Sequence, residues 1–289
     1  KKYSLRGNDV IPVLFLNTLF CSVIFLPLIL LSQYTHILDS SILHVGAGGW
    51  EMHRWIILKS VIVLLSWVFG YFAIAQLPLT IVGPINATRP VMTLVGAMLV
   101  FGERLNGWQW VGVCLAIVSL FLLARSGKKE GIDFKHNKWI FFLVLAALMG
   151  TCSGLLDKYL MASPEEGGVG LDRMMAQSWY NIYQCVMMGL VLLIYLINNH
   201  KKGEERVHFS WRWSILLISI FLSMADFAYF YALSLPGAMI SIVSMVRRGS
   251  VLVSFVCGAV LFRERNLKAK AIDMCFVLLG MIFLWIGSR

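Results

Sequence analysis

Long apolar runs alternate with short polar segments along the whole chain. A helix rises 1.5 Å per residue, so a run of roughly 20 residues crosses about 30 Å of hydrocarbon. The pattern predicts nine membrane-spanning helices, at residues 10–32, 55–76, 79–101, 107–125, 138–160, 173–197, 212–234, 237–261 and 270–288. The predicted fold class is all-α, a polytopic helical membrane protein.

Composition narrows the class further. Of the 289 residues 59% are hydrophobic and only 14% charged, against about 25% charged in soluble domains. This excludes a soluble enzyme and a disordered chain. The net charge of +10 comes largely from Lys and Arg in the loops, where such residues set membrane topology. We therefore expect a lipid bilayer and no nucleic acid as partner.

The sequence shows no short motif that is typical of an enzyme or a metal site. The six cysteines lie in apolar spans without CxxC spacing, and the histidines lie in predicted loops. No HExxH, nucleophile elbow or phosphate loop is present. We expect no metal, no cofactor and no enzymatic activity. The segment 33–54, which contains three histidines and two acids, is the place where an enzyme would have its acid and base.

An internal repeat divides the chain. Gly70–Pro78 aligns without gaps on Ala228–Pro236, and Phe101–Arg104 aligns on Phe262–Arg265, at offsets of roughly 160 residues that fall in the range of a duplicated multi-helix unit. The predicted organisation is a first repeat at 1–126, an inter-repeat loop at 127–137 and a second repeat at 138–289.

The same alignment predicts a tenth helix. Asp157–Leu160 resembles Lys1–Ser4, and only the second repeat has a span before that point. We therefore expect that the parent protein has ten spans, as two five-helix units of opposite orientation, with the first helix absent from this chain. Inverted repeats of this kind are typical of secondary transporters.

These features resemble the drug/metabolite transporter superfamily, and within it the EamA-like transporter family. The resemblance rests on the five-helix repeat, on the tight hairpins after Tyr71-Phe72 and Tyr229-Phe230, and on a helix that contains Pro90 and ends in Phe-Gly-Glu-Arg. It implies the ten-helix fold and a transport function. The second repeat departs from the pattern, with Val251 at the mid-span proline position.

Four charged residues lie deep in the predicted spans: Arg89, Arg247, Arg248 and Asp226. Asp226 and Arg247 share one depth across the hairpin at Pro236, so they are predicted to form an ion pair, unless Asp226 takes up a coupling proton. Buried cations are costly unless a negative charge compensates them. The three arginines therefore predict an anion-binding site. Alternatively, the arginines pair with the absent helix, with Glu103 or Glu264, or with carbonyls near Pro90. Lys59 is placed within about one turn of an interface and is expected to snorkel.

Polar stripes at helical spacing accompany these charges. Their members are Gln177, Asn181 and Gln184; Asn86, Arg89 and Thr93; and Ser241, Ser244 and Arg248. They predict a polar pathway with Tyr180 in an aromatic wall, or else interhelical hydrogen bonds.

Together the patterns predict a secondary transporter of small anionic or zwitterionic metabolites in the bacterial inner membrane. It would work by alternating access, with a central site between the repeats and a coupling proton or ion. The alternatives are an exporter of amphipathic drugs or amino acids with structural arginines and, more remotely, a membrane enzyme or lipid-handling protein acting on phosphorylated head groups. The predicted substrate-binding residues are Arg89, Arg247, Arg248, Asn86, Gln177, Asn181, Gln184, Tyr180 and Ser244.

The inverted repeat makes a topological prediction. Loops 102–106 and 263–268 close equivalent hairpins of the two repeats, so they should lie on opposite faces of the membrane. Single cysteines introduced into each loop of a cysteine-free chain should react with an impermeant maleimide from opposite sides. Labelling of both from one side would contradict the inversion.

Overall fold

The computed structural model describes residues 1–101, 106–128, 136–202, 208–235, 243, 247, 250–260 and 267–287. It is 82% helical, and its described residues form no strand. The all-α prediction is therefore confirmed.

The helix bounds follow the predicted spans closely. The helices are α1 Lys2–Leu5, α2 Val10–Tyr34, α3 Trp50–Gln76, α4 Leu79–Ala87, α5 Arg89–Phe101, α6 Gly107–Lys128, α7 Lys138–Met161, α8 Arg173–Lys202, α9 Trp213–Leu233, α10 Ser250–Val260 and α11 Leu267–Gly287. Among the residues searched, five are long and apolar enough to cross a membrane: α2, α3, α7, most of α8, and α9. The chain is an integral, multi-pass membrane protein.

The predicted span 79–101 consists of two helices that meet at Thr88. The cause is local, since Pro90 has no N–H and leaves the carbonyl four residues before it without a helical donor. The Thr88 hydroxyl donates to the Ile85 carbonyl at 2.7 Å, and the Met92 N–H returns to the Thr88 carbonyl at 3.1 Å. This break puts Arg89 at the first turn of α5.

The chain forms two compact units. Unit 1 comprises Lys1–Tyr71 and Leu156–Pro236, and unit 2 comprises Phe72–Leu155 and Gly237–Arg289. Each unit draws on both predicted repeats, because a boundary falls inside α3 and another inside α7. The division into repeats at 1–126 and 138–289 concerns duplication rather than packing and stays a prediction.

In unit 1, α2 packs against α8 and α9. Polar contacts join these helices: the Ser22 hydroxyl donates to the Asn181 carbonyl at 2.8 Å, and the Ser219 hydroxyl donates to Asn17 Oδ1 at 2.8 Å. In a helix bundle surrounded by lipid, such bonds and close packing hold neighbours together, because burial of apolar surface between helices contributes little.

In unit 2, α6 packs against α11 and α4 against α10. The core cluster consists of Ala87, Val91, Leu94, Val113, Met274 and Met281. Gly96 on α5 allows close approach to α7, because a Cβ there would lie 2.6 Å from Leu155 Cδ1.

This contact predicts that Gly96→Val destabilises the protein. The added side chain must displace Leu155, and overpacking of this kind costs about 1–3 kcal/mol. The midpoint of thermal unfolding in detergent should fall. Leu155→Ala in the same chain should restore part of the loss, and Gly49→Ala, where nothing lies within 4 Å of the added Cβ, should have little effect. A Gly96→Val midpoint equal to the wild type would refute the contact.

Candidate functional site

A buried ion pair lies in the middle of unit 1. Lys59 Nζ on α3 contacts the carboxylate of Asp157 near the end of α7, and these residues are only 2% and 3% exposed. The Tyr229 hydroxyl on α9 donates to the other carboxylate oxygen at 3.2 Å. Because hydrocarbon offers no solvation, such a pair is retained only when each charge has partners inside the protein.

The expectation that Lys59 snorkels is wrong. Helix α3 begins at Trp50, five residues before the predicted start at 55, so Lys59 lies more than two turns inside the helix. The sequence marks Asp157 only through the repeat alignment and through its position at the C-terminal end of an apolar run. Its partner Lys59 is 98 residues away, so spacing along the chain does not indicate the pair.

Aromatic rings enclose the lysine ammonium. Lys59 Nζ lies 4.8 Å from the centroid of the Phe230 ring and 5.2 Å from that of Tyr180. A cation within about 6 Å of a ring face is attracted by the ring quadrupole, more strongly where water is excluded. The rings therefore add favourable contacts around the Lys59 ammonium beside Asp157.

Tyr180 connects this pair to a second acid. Its hydroxyl donates to Asp226 Oδ2 at 2.6 Å, and both residues are buried. The chain thus brings four helices, α3, α7, α8 and α9, to one polar cluster within unit 1. The predicted ion pair between Asp226 and Arg247 stays a prediction.

The amide stripe of α8 is buried along its length. Gln177, Asn181 and Gln184 are all buried in unit 1. Gln177 Nε2 donates to the Ser223 carbonyl at 3.0 Å, and Asn181 Nδ2 donates to the Gln177 carbonyl at 2.8 Å. Within the described residues, Gln177 Oε1 and both amide atoms of Gln184 have no hydrogen-bond partner.

Unit 2 holds the predicted arginine site. Arg89 is half-buried, and its Nη2 donates to the Ala146 carbonyl at 3.1 Å. Its buried Nε has no hydrogen-bond acceptor among the described residues. Asn86 Nδ2 donates to the Val82 carbonyl one turn earlier, at 3.1 Å. Arg247 is helical and exposed, whereas Ser244 and Arg248 lie outside the described residues.

The segment 33–54 offers little catalytic geometry. His36 Nδ1 lies 2.8 Å from Asp39 Oδ2, but both side chains are exposed. His53 belongs to α3 rather than to a loop, and its Nδ1 is 2.8 Å from the Tyr183 hydroxyl. Among the residues searched, no three His, Cys, Asp or Glu side chains could hold a metal ion.

Comparison with known proteins finds a family match over part of the chain. Residues 1–125 match the model of the EamA-like transporter family, which belongs to the drug/metabolite transporter superfamily. The resemblance found in the motifs is confirmed, and the family points to a membrane transporter.

The comparison with solved structures gives the fold. Twenty-two chains match, and one of them, described as "Crystal structure of protein", has a TM-score of 0.66. It is 11% identical, and the match covers 99% of this chain and 91% of the other. At that identity the likeness shows the fold alone. No curated protein matches the sequence.

The ion pair predicts a strongly non-additive double-mutant cycle. Lys59→Met leaves the Asp157 carboxylate without its cation, and Asp157→Asn leaves the Lys59 ammonium without its carboxylate. Breaking a buried ion pair in this way costs about 3–5 kcal/mol of stability. The double variant should recover much of that loss. The free energy of unfolding, measured by denaturant titration in micelles, checks this.

An exposed pair on the same helix is the control. Arg54 pairs with Glu51 at the surface, where an ion pair contributes about 0–1 kcal/mol, so Arg54→Gln should change stability little. Additive effects of the two buried substitutions would show that Lys59 and Asp157 do not depend on each other.

Proposed function

We propose that this chain, whose residues 1–125 match the model of the EamA-like transporter family, carries a small metabolite, anionic or zwitterionic, across the bacterial inner membrane. Transport proceeds by alternating access, without ATP, as a secondary transporter.

The observation that carries the proposal is Arg89. Its side chain belongs to the residue that follows the helix break at Thr88. The guanidinium Nη2 donates to the Ala146 carbonyl, and the buried Nε has no acceptor among the described residues. Guanidinium binds carboxylate or phosphate through two parallel N–H donors. The helix break favours this use, because irregular backbone in membrane helices occurs where it lines a cavity or packs against protein.

Tyr180 is buried and is proposed to form an aromatic wall of the substrate path. Arg247, Arg248, Asn86 and Ser244 are proposed to support the anionic end, and Gln177, Asn181 and Gln184 to line the path.

The assembly of the polar cluster in unit 1 from both predicted repeats supports the alternating-access part of the proposal. Lys59 comes from the first predicted repeat, and Asp157, Tyr180 and Asp226 come from the second. A site shared by inverted repeats is the arrangement in which rocking of one repeat against the other exposes it to each side in turn.

Ligand-dependent thermal stability tests the substrate class. The full-length protein is screened against anionic, zwitterionic and cationic metabolites, and the same screen is repeated on Arg89→Gln. A bound ligand raises stability by RT ln(1 + [L]/Kd). We expect anions or zwitterions with a carboxylate or phosphate to raise the unfolding midpoint of the wild type and to have at least about tenfold weaker affinity for the variant, a loss of about 1.4 kcal/mol.

Two variants control for charge and fold. Arg89→Lys keeps the charge but not the planar pair of donors, so it should recover only part of the affinity. Arg54→Gln removes an arginine whose pair with Glu51 is exposed and should bind like the wild type. Stabilisation by cations or apolar drugs, unchanged in Arg89→Gln, would make the arginines structural and favour the drug exporter.

A further inference from the structure

Two short segments of unit 1 are bonded to each other where α2 and α9 begin. The Asp9 N–H donates to the His208 carbonyl at 2.9 Å, and the His208 N–H donates to Asp9 Oδ2 at 3.0 Å. Asn8 Nδ2 donates to the Ser210 carbonyl at 3.0 Å, and the Ser210 N–H donates to Asn8 Oδ1 at 2.7 Å. Because these bonds run in both directions, they hold the approaches to α2 and α9 in one arrangement.

This arrangement fixes Arg212 beside Arg6 at the protein surface. Arg212 Nη2 donates to the Arg6 carbonyl at 2.7 Å, and the guanidinium carbon lies 4.8 Å from the centroid of the Tyr3 ring. Among the described residues, neither arginine forms a salt bridge. The acid of these segments, Asp9, accepts from the Tyr195 hydroxyl at 3.2 Å. The two arginines and this one carboxylate together carry a net positive charge.

Two tryptophans place Arg212 at the depth of lipid head groups. Trp211 and Trp213 flank it in the sequence, their ring centroids are 5.8 Å apart, and both rings are exposed. Helix α9, which is long and apolar enough to cross a membrane, begins at Trp213. Tryptophan collects at the membrane–water interface, where its ring lies among the head groups. Arg212 therefore lies at the level of the lipid phosphates.

An apolar stripe continues from this point along α9. Trp213, Leu217, Phe221 and Met224 are three or four residues apart, so they lie on one face of the helix. Their exposed fractions run from 50% at Leu217 to 70% at Trp213. At 1.5 Å per residue the stripe is about 16 Å long, roughly half of the 30 Å hydrocarbon core. That length matches the depth of the acyl chains in one leaflet.

We propose that Arg6, Arg212 and this stripe, together the interfacial arginine site, bind one anionic phospholipid. The phosphate lies on the guanidinium of Arg212, with the Arg6 side chain as a second cation, and one acyl chain lies along the stripe. Guanidinium binds phosphate through two parallel N–H donors, and basic groups at the ends of membrane helices bind anionic head groups. The net positive charge selects a lipid of net negative charge over one whose head group carries its own cation.

Lipid-dependent stability tests the site. The purified full-length protein in a neutral detergent is titrated with phosphatidylglycerol or with phosphatidylcholine of the same acyl chains, and its thermal unfolding is followed. We expect a saturable rise of the midpoint with phosphatidylglycerol alone, weaker at high salt because the arginines are near the surface. Native mass spectrometry of the same samples should show one phosphatidylglycerol retained per chain.

Three substitutions locate the lipid. Arg212→Gln should weaken phosphatidylglycerol binding by about tenfold or more, and Arg212→Lys, which keeps the charge but not the planar donors, should recover part of it. Arg6→Gln should also weaken binding, and it leaves the fold intact because the bond to Arg212 uses only the Arg6 carbonyl.

A surface arginine elsewhere in unit 1 is the matched control. Arg54 is exposed and pairs with Glu51, so Arg54→Gln should bind phosphatidylglycerol like the wild type. Phe221→Ala removes a ring from the stripe without changing the charge, and it should weaken the binding of long-chain phosphatidylglycerol.

Several results would overturn the lipid site. One is equal stabilisation by the two lipids, and another is phosphatidylglycerol binding that survives Arg212→Gln and Arg6→Gln alike. Inorganic phosphate that raises the midpoint as much as phosphatidylglycerol would assign the arginines to a small anion instead. Loss of the lipid effect on formation of a dimer would assign the surface to a second copy of the chain.

Discussion

The absence of water in the hydrocarbon region is the constraint on which unit 1 depends. Lys59 is buried there as an ammonium ion, and its stability in that place comes from Asp157 and from the faces of two aromatic rings. Asp157 in turn accepts from Tyr229. Since Lys59 belongs to the first predicted repeat and Asp157 to the second, neither half of the chain could bury its own charge without the other.

The absence of water in hydrocarbon also constrains unit 2, where the groups that need partners belong to the backbone. Pro90 frees backbone groups in the middle of an apolar segment, and the Thr88 hydroxyl satisfies the Ile85 carbonyl beside the break. Arg89, the next residue, donates to the carbonyl of Ala146 on another helix. The break therefore lies directly before Arg89, and the bond from Arg89 to the Ala146 carbonyl links α5 to α7.

Helix positions could be predicted from the sequence because they depend on local hydropathy, which is read directly from the residue types. The predicted start at 138 and the predicted end at 101 are also those of α7 and α5. The contacts of the site could not be predicted in the same way. Helix α3 begins five residues before its predicted start, so Lys59 is buried rather than interfacial. Asp226 accepts a hydrogen bond from Tyr180, 46 residues earlier on a neighbouring helix, and the spacing along the chain does not indicate this contact.

The predicted duplication pairs positions that carry different side-chain chemistry. The repeat alignment pairs Tyr71 with Tyr229 and Lys1 with Asp157. In unit 1 the Tyr229 hydroxyl donates to Asp157 at 3.2 Å, whereas Lys1 Nζ lies 4.8 Å from the centroid of the Tyr71 ring. The two halves thus retain an aromatic residue at equivalent places but set opposite charges beside it.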